Sequence, residues 1–93
     1  MTAYALIYKM VDIEKNAANR PGHMEFLRGM LRAGRISSGW KFPDYENGMI
    51  QAVLICEAHS KEDVATWFKD DPVISSGART FEVRDAEKMA IQY

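Results

Sequence analysis

Cysteine is all but missing from this 93-residue chain, in which Cys56 stands alone. One thiol cannot close an internal disulfide, so nothing implies an oxidising compartment, and a cytoplasmic protein is expected. A basic excess is missing too. Twelve Lys and Arg are set against 13 Asp and Glu, for a formal charge of −1. That balance argues against charge-driven nucleic-acid binding, and no nucleic-acid partner is expected. No run approaches the ~20 apolar residues of a membrane span, so no membrane partner is expected. The apolar stretch from Ala3 to Ile7 is too short for a secretory leader, and Tyr4, Tyr8 and Lys9 interrupt it. No repeat, low-complexity tract or linker divides the chain, which predicts one domain over residues 1–93.

Several chemical signatures are missing as well. No Gly-rich phosphate loop follows a strand, and no Ser sits in a nucleophile elbow. Cys56-Glu57-Ala58-His59 offers a thiol, a carboxylate and an imidazole, but no second ligand pair stands elsewhere. Neither a metal nor a cofactor is therefore expected, and Cys56 reads as a small buried apolar residue. The basic, aromatic signature strand of RNA-recognition domains is also missing.

What is present alternates strand and helix. Residues 3–11 are aliphatic and aromatic on both faces and predict a first strand. Asp12 to Asn19 is polar and reads as a loop or frayed turn. Arg20-Pro21-Gly22-His23-Met24 reads as a helix start, because proline is tolerated at the first helical position. The helix is expected from Pro21 to Ala33, with Gly34 as its stop. Met24, Phe26, Leu27, Met30 and Leu31 fall within about 160° of arc, and His23 points near its middle. An imidazole there is either a satisfied core histidine or a group with a task.

Residues 35–42 predict a weaker second strand, whose serines and Gly39 mark a bend or a close ligand. Asn47-Gly48 is the strongest hairpin signal, and residues 49–58 predict a third strand, again apolar on both faces. Ser60 opens a second helix that Pro72 is expected to end. Val73 to Gly77 reads as a turn. Residues 79–84 predict a fourth strand with Phe81 and Val83 on one face. The tail over residues 86–93 has no legible element, so the core is expected over about 3–85.

The order β-α-β-β-α-β is that of the ferredoxin-like split unit, an antiparallel four-stranded sheet with two helices on one face. The other face, apolar on two strands, wants cover, and a homodimer is expected through it. Asp70-Asp71 at the end of the second helix is electrostatically awkward, because carboxylates oppose the dipole there. The two either solvate a helix end or meet a cation. This topology can bring Asp71 near His23, where a carboxylate on one ring nitrogen leaves the other as a base.

The chain resembles the YciI-like (YCII-related) family of dimeric α+β barrel proteins over about residues 3–85. The landmarks are Tyr4-Ala5-Leu6-Ile7-Tyr8, Arg20-Pro21-Gly22-His23-Met24, Gly34-Arg35-Ile36, Ser38-Gly39, Glu57-Ala58-His59-Ser60, Asp71-Pro72-Val73, Gly77 and Phe81-Glu82-Val83-Arg84. The resemblance implies a histidine–aspartate active pair at His23 and Asp71, a dimer with a barrel-like core, and a cleft beside each pair. Some members look like dehydrochlorinases of hydroxylated rings, and the wider superfamily includes muconolactone isomerases. The chain has Gly39-Trp40 where the family commonly has Gly-Pro, and Val73 where an aromatic is frequent, which implies a differently shaped pocket.

The expected function is a cofactor-free lyase or isomerase acting on a small cyclic oxygenated metabolite. His23 is the general base and Asp71 its orienter. Arg20 is expected to hold an anionic group, and Ser37 or Ser38 to donate to an oxyanion. Gly39 and Trp40 are expected to shape an aromatic wall, Trp40 alternatively filling the dimer interface. The competing expectation is a ligand-binding or interaction protein of the same fold without catalysis.

Overall fold

In the computed structural model, which describes residues 1–91, a four-stranded antiparallel sheet carries all its helices on one face. The elements are β1 (Thr2–Met10), α1 (Ile13–Arg32), β2 (Ile36–Lys41), β3 (Ile50–Ala58), α2 (Lys61–Phe68), α3 (Pro72–Ser75) and β4 (Arg79–Asp85). The sheet order is β2-β3-β1-β4, which is the ferredoxin-like arrangement expected. Alternation along β1 decides what is buried. Tyr4, Leu6, Tyr8 and Met10 face the helices, while Ala3, Ala5 and Ile7 take the open face. Leu54, Cys56 and Ala58 of β3 join them, with Val64 and Phe68 of α2 and Met30 of α1 above.

The first helix starts a full two turns earlier than expected. Asp12 is its N-cap, with a carboxylate accepting from the Lys15 amide at 3.1 Å. Asn47 adds a second cap from across the fold, its Oδ1 accepting from the Ile13 amide at 3.1 Å. Pro21 therefore lies inside α1 and not at its first position. An interior proline costs about 3 kcal/mol, which the caps and the buried face offset. Residues 43–48 form turns between β2 and β3, with Asn47-Gly48 at their end. There the Gly48 amide donates to the Met10 carbonyl at 2.7 Å. Gly34, at φ 74°, ends α1 as expected. Leu31 is not in the buried arc but 61% exposed.

The second helix also differs. It ends at Phe68, and Pro72 opens the separate short helix α3 in place of the expected turn. Asp71 is the N-cap of α3, its Oδ1 accepting from the Val73 amide at 3.2 Å. The awkward carboxylate at a helix C-terminus is thus a favourable one at a helix N-terminus. Beyond Asp85 no regular element follows through Ile91, and positions 92 and 93 of the tail lie outside the described residues.

Candidate active site

Two elements meet edge to edge at one end of the sheet. A Cβ placed on Gly22 of α1 would lie 3.1 Å from Pro72 Cγ of α3. That close approach lays the next residue of α1, His23, against the preceding residue of α3, Asp71. His23 Nδ1 is 3.0 Å from Asp71 Oδ1 and 2.9 Å from Oδ2. Both side chains are buried, Asp71 completely. The carboxylate accepts from three directions: His23, the Val73 amide, and the Tyr8 hydroxyl at 2.5 Å. An acceptor so placed favours a ring proton on Nδ1 and leaves Nε2 as an acceptor, toward which Arg79 Nη1 points.

Tyr8, Arg79 and Asn16, none of them among the expected site residues, connect to the pair. The Tyr8 ring meets His23 edge to face, with centroids 5.6 Å apart. Burial first, then the charge and hydrogen bond of Asp71, push the Tyr8 phenol far above its ordinary range, against the opposing pull of Arg79. Tyr8 is accordingly a fixed donor to Asp71. The Arg79 guanidinium lies 5.0 Å from the Tyr8 ring centroid and brings Nη1 to 3.4 Å from His23 Nε2. Its Nε donates to Asn16 Oδ1 at 2.7 Å. Burial lowers the guanidinium's pKa, while Tyr8 and Asp71 oppose the fall. Arginine starts so high that it remains a cation.

These groups close one wall of a cavity of about 290 Å³ that Tyr8, His23, Arg79, Arg20, Gln51 and Trp40 help to line. Arg20 is exposed and stands at this cavity. Ser37 and Ser38 do not. They line a neighbouring apolar groove of about 250 Å³ with Leu31 and Ile36, and the Ser37 hydroxyl donates to the Ile55 carbonyl at 3.3 Å. Gly39 borders both spaces, but it leaves no room for a ligand. A Cβ there would lie 2.6 Å from Leu54 Cδ2, so the leucine already occupies the place. Trp40 pairs in register with Val53, which puts its side chain on the open sheet face. It is 74% exposed and contributes to the cavity only at the rim.

Cys56 is fully buried in the core, and burial, aided by Glu57, pushes its thiol up to about 12. His59 is exposed. Among the described residues no three His, Cys, Asp or Glu side chains converge as a metal site, and no helix is long and apolar enough to cross a membrane.

Residues 1–87 match the YCII-related domain, and the chain belongs to that family. A solved structure of the same fold is 5-chloro-2-hydroxyhydroquinone dehydrochlorinase (TftG) from Burkholderia phenoliruptrix AC1100, in complex with 2,5-dihydroxybenzoquinone. The TM-score is 0.71 at 20% identity, over 90% of this chain and 93% of that one. At that identity the likeness establishes the fold alone. No curated protein matches the chain in sequence.

Proposed function

We propose that the protein is a small lyase or isomerase whose substrate is a monocyclic ring carrying hydroxyl or carbonyl oxygens. The observation that carries this reading is the buried His23, whose Nδ1 is held by both Asp71 oxygens at the wall of a cavity. His23 Nε2 accepts a proton from a ring hydroxyl or from a carbon beside a carbonyl. The oxyanion left behind faces Arg79 and, at the mouth, Arg20. As the oxyanion closes to a carbonyl, its electron pair moves into the ring. In an isomerisation the ring carbon then takes the proton back from His23. In an elimination that carbon, which bears the leaving group, takes the proton in the same way. A second ring hydroxyl then gives its proton to His23, its oxygen closes to a carbonyl, and the displaced electron pair expels the leaving group with its bonding pair, while the proton passes from His23 to water. Asp71 holds the ring and stabilises the positive charge that forms on it. Tyr8 holds Asp71. A base placed in this way contributes ~10²–10⁴ in rate.

The dehydrochlorinase of the same fold makes chlorinated hydroxyhydroquinones the first compounds to try. The test is chloride release and product formation from 5-chloro-2-hydroxyhydroquinone and related chlorinated and unchlorinated hydroxy-rings, by wild type and His23→Gln. Turnover that falls by ~10² or more in the variant supports the reading. Binding without turnover, unchanged by His23→Gln, assigns a non-catalytic ligand-binding protein instead.

A further inference from the structure

Gln51 is buried where strand alternation should leave it exposed. Ala52 and Leu54 face the helices, so regular β3 pairing would put Gln51 on the open face with Val53 and Ile55. The pairing is not regular there. Tyr8 pairs with Ala52, but Lys9 pairs with Ile50, so Gln51 is the extra residue of a β-bulge. Its carbonyl still accepts from the Phe42 amide at 2.8 Å, which fixes the backbone to β2. The bulge turns Gln51 to the same side as Ala52, and both line the cavity of His23 and Arg79. Gln51 is 5% exposed, and its Oε1 is sealed from solvent without any hydrogen-bond partner. A buried amide oxygen left unpaired is unfavourable, and a bulge beside a cavity is a known way to aim a side chain.

We propose that Gln51 is a specificity residue of this cavity, and that the ligand carries two oxygen functions. One is acidic and faces Arg79 and His23, and the other is a hydroxyl that stays protonated and donates to the Gln51 amide oxygen. The inference rests on the proposed function for the first oxygen, and on the bulge and the orphaned amide for the second. A half-turn about the last side-chain torsion exchanges the amide's oxygen and nitrogen, so Gln51 can present its acceptor when the hydroxyl arrives. Rings in which that hydroxyl is blocked by a methyl group leave the amide unpaired and bind more weakly.

The test uses 1,2,4-benzenetriol, kept anaerobic, and its monomethyl ethers as probes, with calorimetric affinities for wild type and Gln51→Met. Wild type prefers the triol to at least one ether by about tenfold, the effect of one lost hydrogen bond to a buried group. Gln51→Met loses that preference by weakening the triol and sparing the ether, while its melting temperature without ligand is equal or higher. In wild type, the Gln51 side-chain amide resonances shift with the triol and not with that ether, a readout that needs no variant. Equal affinities in wild type, no triol binding at millimolar concentration, or a preference unchanged in Gln51→Met overturns the inference. A Gln51-dependent preference without any turnover leaves Gln51 in this role and removes the catalytic reading.

Discussion

Gly22 lies so close to Pro72 that an added Cβ would approach Cγ to 3.1 Å. That contact is what brings His23 onto Asp71, since each is the chain neighbour of one member. Gly22→Ala raises the helix propensity of α1 by up to about 1 kcal/mol. The same methyl pushes α1 and α3 apart by a few tenths of an ångström. The variant is expected to melt within a few degrees of wild type yet lose ligand affinity and turnover. Thermal melts beside activity check it, and a variant equal in both would remove the contact from the account.

Removing the carboxylate tests the centre of the network. Asp71→Ala leaves the Tyr8 hydroxyl and His23 Nδ1 buried without an acceptor and strips α3 of its N-cap. A loss of about 3 kcal/mol or more is expected. Tyr8→Phe removes one donor and leaves Asp71 its other two partners, so about 1 kcal/mol is expected. Denaturant unfolding of both variants measures the order, and a Tyr8→Phe loss exceeding that of Asp71→Ala contradicts it.

Alkaline stability follows from two buried acids. The Cys56 thiol rises from 9.0 to about 12 in the native protein. Between those values the native state keeps a proton that the unfolded chain releases, so stability is level below pH 9 and falls as pH rises beyond it. Tyr8, starting from 10.0 and raised further, adds to the fall from pH 10 upward. Melting temperatures between pH 7 and 11 should decline above pH 9, less steeply in Cys56→Ala. The same thiol should resist alkylation at pH 8 until the protein is unfolded.

The open sheet face carries Ala5, Ile7, Val53 and Ile55, with Trp40 74% and Ile50 48% exposed. We propose that a second copy covers it. Sedimentation at micromolar concentration should give twice the 10.6 kDa chain mass, and Trp40→Ala should shift the equilibrium toward the single chain. A single-chain species alone in wild type excludes the dimer.

The element order was legible because alternation and helical spacing fix faces. The His23–Asp71 pair was open on spacing alone, since His23 also reads as a satisfied core residue and Asp71 as a solvated helix end, and the family resemblance named both members. The helix start was not legible, since Asp12 and the distant Asn47 cap α1 together and carry it through Pro21. That error hid Asn16, which shares the buried side of α1 with His23 and Met30 at seven-residue intervals. Arg79 was readable in principle, being in phase with the inward Phe81 and Val83. Tyr8 was assigned to a strand face, but alternation does not say where its hydroxyl ends. Gln51 depends on a bulge that no local pattern announces. The serines were misleading because Leu54 fills the space above Gly39 and separates them from His23.

The central claim is that Asp71 holds a proton of the His23 ring on Nδ1 and leaves Nε2 as the acceptor that faces Arg79 and the cavity. Long-range ¹H–¹⁵N correlation spectra of histidine-labelled protein measure this directly, with exposed His59 as the reference for the other of the two histidines. The account predicts a neutral His23 ring protonated at Nδ1, with that signal lost from its position in Asp71→Asn and the Nε2 signal moved by a bound hydroxy-ring. A His23 ring protonated at Nε2, or one indifferent to Asp71→Asn, contradicts it.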